Sequence, residues 1–500
     1  METHSTKAKW STARPRAIAI ASALWLAGCG SLATPGPTAG DNSSGLSSLH
    51  PAPRAGEPTA NSLLLQARLA RGVSGGGSPS AGYPGVARFE IADNPNFGDS
   101  RFSTWQVARA DTDFVVRVLI DGLKSGSTWY WRVHHGGDRA NTSTSTTLQA
   151  RTLRDRDSTQ PIRFGVLTCM HRHRFLTDTA AYRDDQVDRH LGFPTFEHLR
   201  QLSPNFVCFT GDCVYYDHPR DAPATEPATM RDRWHRQFDT PRSHALLGST
   251  AGYWLKDDHD FRFDDSDLAD KKRALPTAQD GLRIFREQCP VSELERPQAP
   301  MWRTHRLNRD VQVWLLEGRD HRSPNAMPDG PDKTLWGLEQ RAWLKQTLAT
   351  SDARFRILIS PTPLVGPDDA RKTDNHTNIG GFQHERDAFL DWAEQQQLIG
   401  PAARPGQLLV ICGDRHWQYH SVHPLGLHEI SCGSTSDGNA RRGRSPGDPR
   451  STDPEGLIQQ RWAQDKVSGG FVMVEEDPRS QALTVYFMDD HGRELHRIQW

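Results

Sequence analysis

The sequence predicts an α/β domain preceded by a small all-β domain, both behind an export signal. Three observations carry this. Residues 61–153 hold short β-rich runs separated by glycine-bearing turns. From residue 160 onward, short apolar runs alternate with helix-like segments, the pattern of strands buried in an α/β sheet. The N-terminus combines basic residues with a short apolar stretch.

Lys7, Lys9, Arg14 and Arg16 precede an apolar run from Ala17 to Ala27, too short to cross a bilayer as a helix. Small residues then lead into Cys29, in the order Leu26-Ala27-Gly28-Cys29. A basic start, a short apolar core and a small-residue cleavage region describe an exported chain with a signal peptide over residues 1–28. The segment resembles a bacterial lipobox, which implies lipidation of Cys29 and a membrane anchor facing the periplasm or cell surface. The alternative is an ordinary signal peptide with a chance cysteine. Residues 29–60, rich in Ser, Pro, Gly, Thr and Ala, read as a flexible tether.

In the all-β part, Phe114, Val116, Val118 and Ile120 fall on one face by period two. A turn-rich loop leads to Thr128-Trp-Tyr-Trp-Arg-Val133, and the two runs read as a hairpin. The whole region fits a β-sandwich, and the stretch DTDFVVRVLIDGLKSGSTWYWRV resembles a fibronectin III-like module. It carries no readable chemistry. In the second domain, strands are predicted at 162–168, 205–210, 356–360 and 408–412, with helices at 196–202 and 336–348, the latter placing Leu338, Ala342 and Leu348 on one side.

Four segments concentrate metal-capable side chains, three of them directly after a readable strand: Thr168-Cys169-Met170-His171, Gly211-Asp212-Cys213-Val214-Tyr215, Lys256-Asp257-Asp258-His259-Asp260 and Gly413-Asp414-Arg415-His416. Ligands gather at the ends of such strands, and glycine before an acid lets the chain turn sharply. Each segment alone has a bland reading: a turn, an acidic loop, a small buried thiol. Together they supply the acid, imidazole and thiol that a two-metal site needs.

The order of these segments resembles the calcineurin-like metallophosphoesterase superfamily, and their departures match its PhoD-like alkaline phosphatase branch. In that branch a Cys comes first, followed by G-D-x-x-Y, D-D-H-[DE] and G-D-x-H. EGRDHRSPN, KTLWGLEQRAWLKQTL, GGFQHERDAFLDW and GDRHWQYHSV also look like the branch. The resemblance covers about residues 62–500, with the catalytic domain at 160–500. It implies a two-sheet α/β sandwich and hydrolysis of small-molecule phosphate esters. The implied ligands of a first metal are Cys169, Tyr215 and His416, with Asp212 bridging to a second metal held by Asp258 and Asp414. His376, in Asp374-Asn-His-Thr-Asn378, is the candidate for the superfamily's isolated histidine. His171 is a candidate ligand or a pocket-lining residue. Thiolate with phenolate suits Fe3+, and the hard second site suits Ca2+, with Zn2+ or Mn2+ as substitutes. His259 is implied to protonate the leaving oxygen or to steady the phosphoryl charge, Asp257 and Asp260 to orient His259, and Arg319 and Arg322 to hold phosphate oxygens. Glu317 stands where the branch commonly has Asp.

The net charge of −1 gives no electrostatic case for nucleic acid. Six cysteines follow Cys29, mostly in or beside buried strands of a chain large enough to need no staples, which argues against a disulfide framework. Two other readings stand beside the phosphoesterase: a non-catalytic surface lipoprotein whose sandwich binds a partner, and the same fold acting on phospholipid or phosphonate esters.

Overall fold

The computed structural model describes residues 47–71, 81–178, 186–269, 275–294, 296 and 298–500. The signal peptide, Cys29 and the first part of the tether lie outside the described residues. Two large sheets form the body. Parallel strands Ile162–Leu167, Phe206–Thr210 and Ala251–Leu255 sit side by side in the first. Antiparallel strands Gly470–Asp477, Ala482–Asp489 and Glu494–Gln499 extend it from Ile162–Leu167. The second sheet centres on parallel strands Val311–Leu315, Phe355–Ser360, Leu408–Cys412 and His428–Cys432.

These strands read as continuous apolar runs because both their faces are covered. Phe206 and Cys208 join Phe164, Ile357, Ile359, Leu409 and Ile411 in the core between the sheets. Val207 and Phe209 point the other way, under Phe196, Trp234 and Phe285 of helices Pro194–Gln201, Pro227–Phe238 and Ala278–Gln288. Helices Gly337–Thr350 and Gln383–Gln395 cover the outer face of the second sheet through Leu344, Leu348 and Phe389. Leu338, expected on one side with Leu348, is 70% exposed, whereas Leu348 is buried. The helix is set instead by Gln340, whose side chain bonds both the backbone N–H and the carbonyl of Glu317.

Two expectations for the N-terminal region need correction. Residues 47–56, assigned to the tether, are part of the fold: Ser47–Leu49 pairs with Leu69–Arg71, and Arg54–Gly56 pairs with Leu64–Gln66. Composition hid these strands, because their stability comes from pairing and burial of Ala55 rather than from apolar length. Gly56 also pairs with Gly252, so one face of the β-sandwich is continuous with the first catalytic sheet. The predicted hairpin is an arch. Val115–Ile120 pairs with Leu63–Arg71, whereas Thr128–Gly136 pairs with Gly85–Ala92 in the opposing sheet. Val116 on one strand and Trp129, Trp131 and Val133 on the other fill one core, which they can do only from facing sheets. All six cysteines in the described residues are free and buried.

Glu476 is buried at the end of Gly470–Asp477, where it accepts a hydrogen bond from Asn308 Nδ2 at 2.6 Å. Burial pushes its carboxyl up to about 7. The folded state therefore holds this proton more tightly than the unfolded chain, and the associated stability is lost as pH rises through about 7. Glu476→Gln is expected to lessen the fall in unfolding temperature between pH 5 and pH 8. An unchanged pH profile in thermal unfolding would contradict this.

Candidate metal centre

The four loaded segments converge at one edge of the sandwich. Three follow neighbouring parallel strands of the first sheet, and the fourth follows Leu408–Cys412 in the second. Thr210 Oγ1 donates to Ser360 O at 3.1 Å, stitching the sheets together. A Cβ on Gly413 would lie 2.4 Å from the Thr210 carbonyl oxygen, so only glycine allows the approach. Cys169, Asp212 and Asp414 all adopt left-handed backbone conformations, with φ of 54°, 53° and 60°. For non-glycine residues this costs about 1–3 kcal/mol each, and such strain concentrates at functional sites.

Asp212 lies at the centre. Its Oδ2 faces Cys169 Sγ at 3.4 Å and accepts the Tyr215 hydroxyl at 3.1 Å. Its Oδ1 faces the backbone N–H of His259 at 3.4 Å. Donor atoms of Cys169, Asp212 and His416 lie within 4.8 Å of one another, and so do those of Asp212, Asp258 and His259. Asp212 is the residue common to both groups. Asp414 flanks His416 and lines a cavity of about 350 Å³ with Lys372, Arg441, Arg442 and Arg444.

The electrostatics fit two cations. Burial and the charge of Asp258 push Asp212 up. Burial and Asp212 do the same to Cys169 and Tyr215. Burial holds Asp414 up at about 7. Burial, then Arg441, pushes His416 far down, leaving a neutral imidazole with a lone pair to offer. Asp258 Oδ1, Asp414 Oδ2 and His416 Nδ1 are buried without a hydrogen-bond partner. Buried acids that repel one another, with unpaired oxygen and nitrogen atoms among them, are what a pair of bound cations would neutralise.

Several expected residues play other parts. His376 stands outside both groups. Its Nε2 meets Glu385 at 3.0 Å and its ring packs 4.5 Å from Trp336, turned into the helix layer. Arg319 is fully buried and does not line the cavity: Nε and Nη2 donate to Asp257 Oδ1 at 2.8 and 2.5 Å, and Nη1 donates to Ser266 O at 2.7 Å. Arg322 is likewise buried, bonded to the Asp374 carbonyl and lying over the Phe382 ring. Neither arginine lines the cavity beside Asp414, and Arg322 keeps Nε and Nη1 without a hydrogen-bond partner among the described residues. His259 is oriented by Asp217, which meets Nδ1 at 2.7 Å, rather than by Asp257 or Asp260. Asp260 instead accepts the backbone N–H groups of Cys213 and Asp257, tying two ligand loops together. His171 is not in either donor group; its ring stacks on Tyr215 at 4.1 Å.

Arg319→Ala would leave Asp257 buried without its partner. The expected loss is about 3–5 kcal/mol of unfolding free energy, measured by denaturant titration. A loss below about 1 kcal/mol, the scale of a surface pair, would contradict the buried-pair reading.

Residues not anticipated from sequence complete the centre. Asn439 Nδ2 donates to the Tyr215 hydroxyl at 3.2 Å and to the Cys169 carbonyl at 3.3 Å. Asp217 holds His259, and Lys372 and Arg441 line the cavity beside Asp414. The basic run Arg441-Arg442-Gly443-Arg444 was visible in the sequence as a charge cluster; Asn439 and Asp217 carried no local signal.

The family model described as PhoD-like phosphatase matches residues 178–472, and that of the PhoD-like phosphatase N-terminal domain matches 46–154. Alkaline phosphatase D of Bacillus subtilis (strain 168) is 23% identical over 402 residues, covering 73% of this chain. The match spans 64% of that relative's length. A solved structure of PhoD superposes with a TM-score of 0.67 at 16% identity, covering 89% of this chain and 91% of that one. The purple acid phosphatase PPD1 from yellow lupin (Lupinus luteus) seeds superposes at 0.56 and 12% identity, covering 90% of this chain and 74% of that one. These two likenesses show a shared fold: an α/β sandwich with an all-β region before it.

Proposed function

The chain belongs to the PhoD-like phosphatase family, and from that premise we propose that it hydrolyses small-molecule phosphate esters at the centre built around Asp212. The observation that carries this is the division of one carboxylate: Oδ2 faces Cys169 and Tyr215, and Oδ1 faces the His259 side. Cys169, Tyr215 and His416 would hold the first cation, with Fe3+ suited to thiolate and phenolate. Asp258 and Asp414 would hold the second, with Ca2+ suited to hard carboxylates and Zn2+ or Mn2+ as substitutes. Bound there, such cations would supply Lewis acidity and a water acidic enough to ionise near neutral pH.

The chain's own groups do the rest. Lys372 and Arg441 line the cavity beside Asp414 and His416, so their charges oppose those of phosphoryl oxygens. Asp217 fixes His259 through Nδ1, leaving Nε2 to hand a proton to the departing oxygen. Asp217, which is not among the residues that would hold a cation, faces the ring at Nδ1 and favours its protonated form.

The test is turnover of phenyl phosphate and bis(4-nitrophenyl) phosphate by purified, metal-loaded protein. Hydrolysis of at least one, abolished by chelator, is expected. No turnover of either would overturn the reading. We further propose that the chain is exported and anchored through lipidated Cys29, supported by the basic, apolar and small-residue sequence before it. Cys29→Ser should then shift the protein from the membrane to the soluble fraction.

A further inference from the structure

A second cavity, of about 280 Å³, shares Tyr215 with the metal centre and is lined by His171, Arg172, His218, Arg233 and Arg236. It lies on the side of the proton donor: the His218 ring is 6.1 Å from that of His259 and 4.6 Å from that of His171, and the Tyr215 ring is 4.1 Å from both His171 and His259. Its charge is lopsided. Three guanidinium groups face one carboxylate, Asp232, which is already paired with Arg236 at 2.7 Å. Arg233 donates to the Ala222 carbonyl at 2.6 Å. Arg172 has no hydrogen-bond or ion-pair partner among the described residues.

His171 gives a second, independent pointer. It is 2% exposed, and its Nδ1 accepts the backbone N–H of Arg174 at 3.3 Å. The ring proton therefore sits on Nε2, which is buried and has no partner. A buried N–H donor without an acceptor costs free energy unless a ligand supplies one.

We propose that this cavity receives the leaving group, and that it is built for a leaving group carrying its own anion, a carboxylate or a second phosphate, held by Arg172 and the Nε2–H of His171. This rests on the hydrolytic reading above. In the reaction, water oxygen bonds to phosphorus as the ester P–O bond breaks. The departing oxygen takes its proton from His259, so ester and water become alcohol and phosphate.

The experiment compares phenyl phosphate, 3-carboxyphenyl phosphate and 1,3-phenylene bisphosphate. At least one anionic ester is expected to exceed phenyl phosphate in kcat/KM by about tenfold, the scale of one charge-assisted hydrogen bond, with the gain in KM. Which of the two is preferred identifies the anion. In Arg172→Ala that ratio should collapse toward one, and Arg172→Lys should restore much of it. Ratios within each variant cancel any general loss from misfolding. Calorimetry gives a readout without turnover: 3-hydroxybenzoate should bind the intact protein more tightly than phenol does, and Arg172→Ala should remove the difference. A ratio near one in the unaltered protein, or one that survives Arg172→Ala, overturns the proposal. Absence of turnover on all three esters overturns this inference. The hydrolytic reading falls with it only if bis(4-nitrophenyl) phosphate is not turned over either, so the diester separates the two outcomes.

Discussion

Asp212→Asn is expected to lower kcat on the order of a thousandfold or more, the largest effect of any single change considered. The substitution keeps the volume of the side chain but replaces one oxygen with an amide nitrogen whose lone pair is delocalised and unavailable to a cation. One of the two faces that Asp212 presents is thereby lost, whichever way the amide turns. Folding should not suffer in the same way. Burial and Asp258 already push the Asp212 carboxyl up, so in the metal-free chain removing its charge relieves repulsion. The expected signature is lost turnover and weaker metal retention at near-normal stability. Retained activity with both metals bound would sink the bridging role.

His259→Ala is expected to have the next largest effect, and it should depend on the substrate. A general acid contributes about 10²–10⁴-fold, and most when the leaving oxygen is a poor leaving group. The variant should therefore lose far more activity on an alkyl phosphate such as glycerol phosphate than on 4-nitrophenyl phosphate, whose phenolate departs without help. Asp217→Asn, which alters the group holding His259 Nδ1, should reproduce the same trend in weaker form. Equal losses on both substrates would instead assign His259 to metal binding, which its place beside Asp212 and Asp258 also permits.

The strand framework was legible because parallel strands buried on both faces leave uninterrupted apolar runs, as at Phe206–Thr210 and Leu408–Cys412. Their ends were legible for the same reason: an acid after glycine stands out against such a run. Asp212 and Asp414 stood out in this way; Cys169 and His416 joined the ligand set through the family resemblance, and the structure brings both within 4.8 Å of Asp212. What local pattern could not settle was the direction of side chains in long loops. His376 belongs to a loop next to the centre, yet its ring turns toward Trp336 and Glu385, a partner nine residues on and already inside a helix. Arg319 sits in a motif of the right kind but is consumed by Asp257, 62 residues earlier. Asn439 reaches Tyr215 across 224 residues, a contact made by tertiary folding alone. Residues 47–56 were misassigned for a related reason, since their pairing partners lie downstream in Leu63–Arg71.

Metal content measured against activity addresses the central claim most directly. Elemental analysis of the purified protein should find two cations per chain. Chelation should remove activity in step with metal, and adding metal back should restore both. A chelated protein shown to be free of metal that still hydrolyses phosphate esters at the full rate would contradict the account.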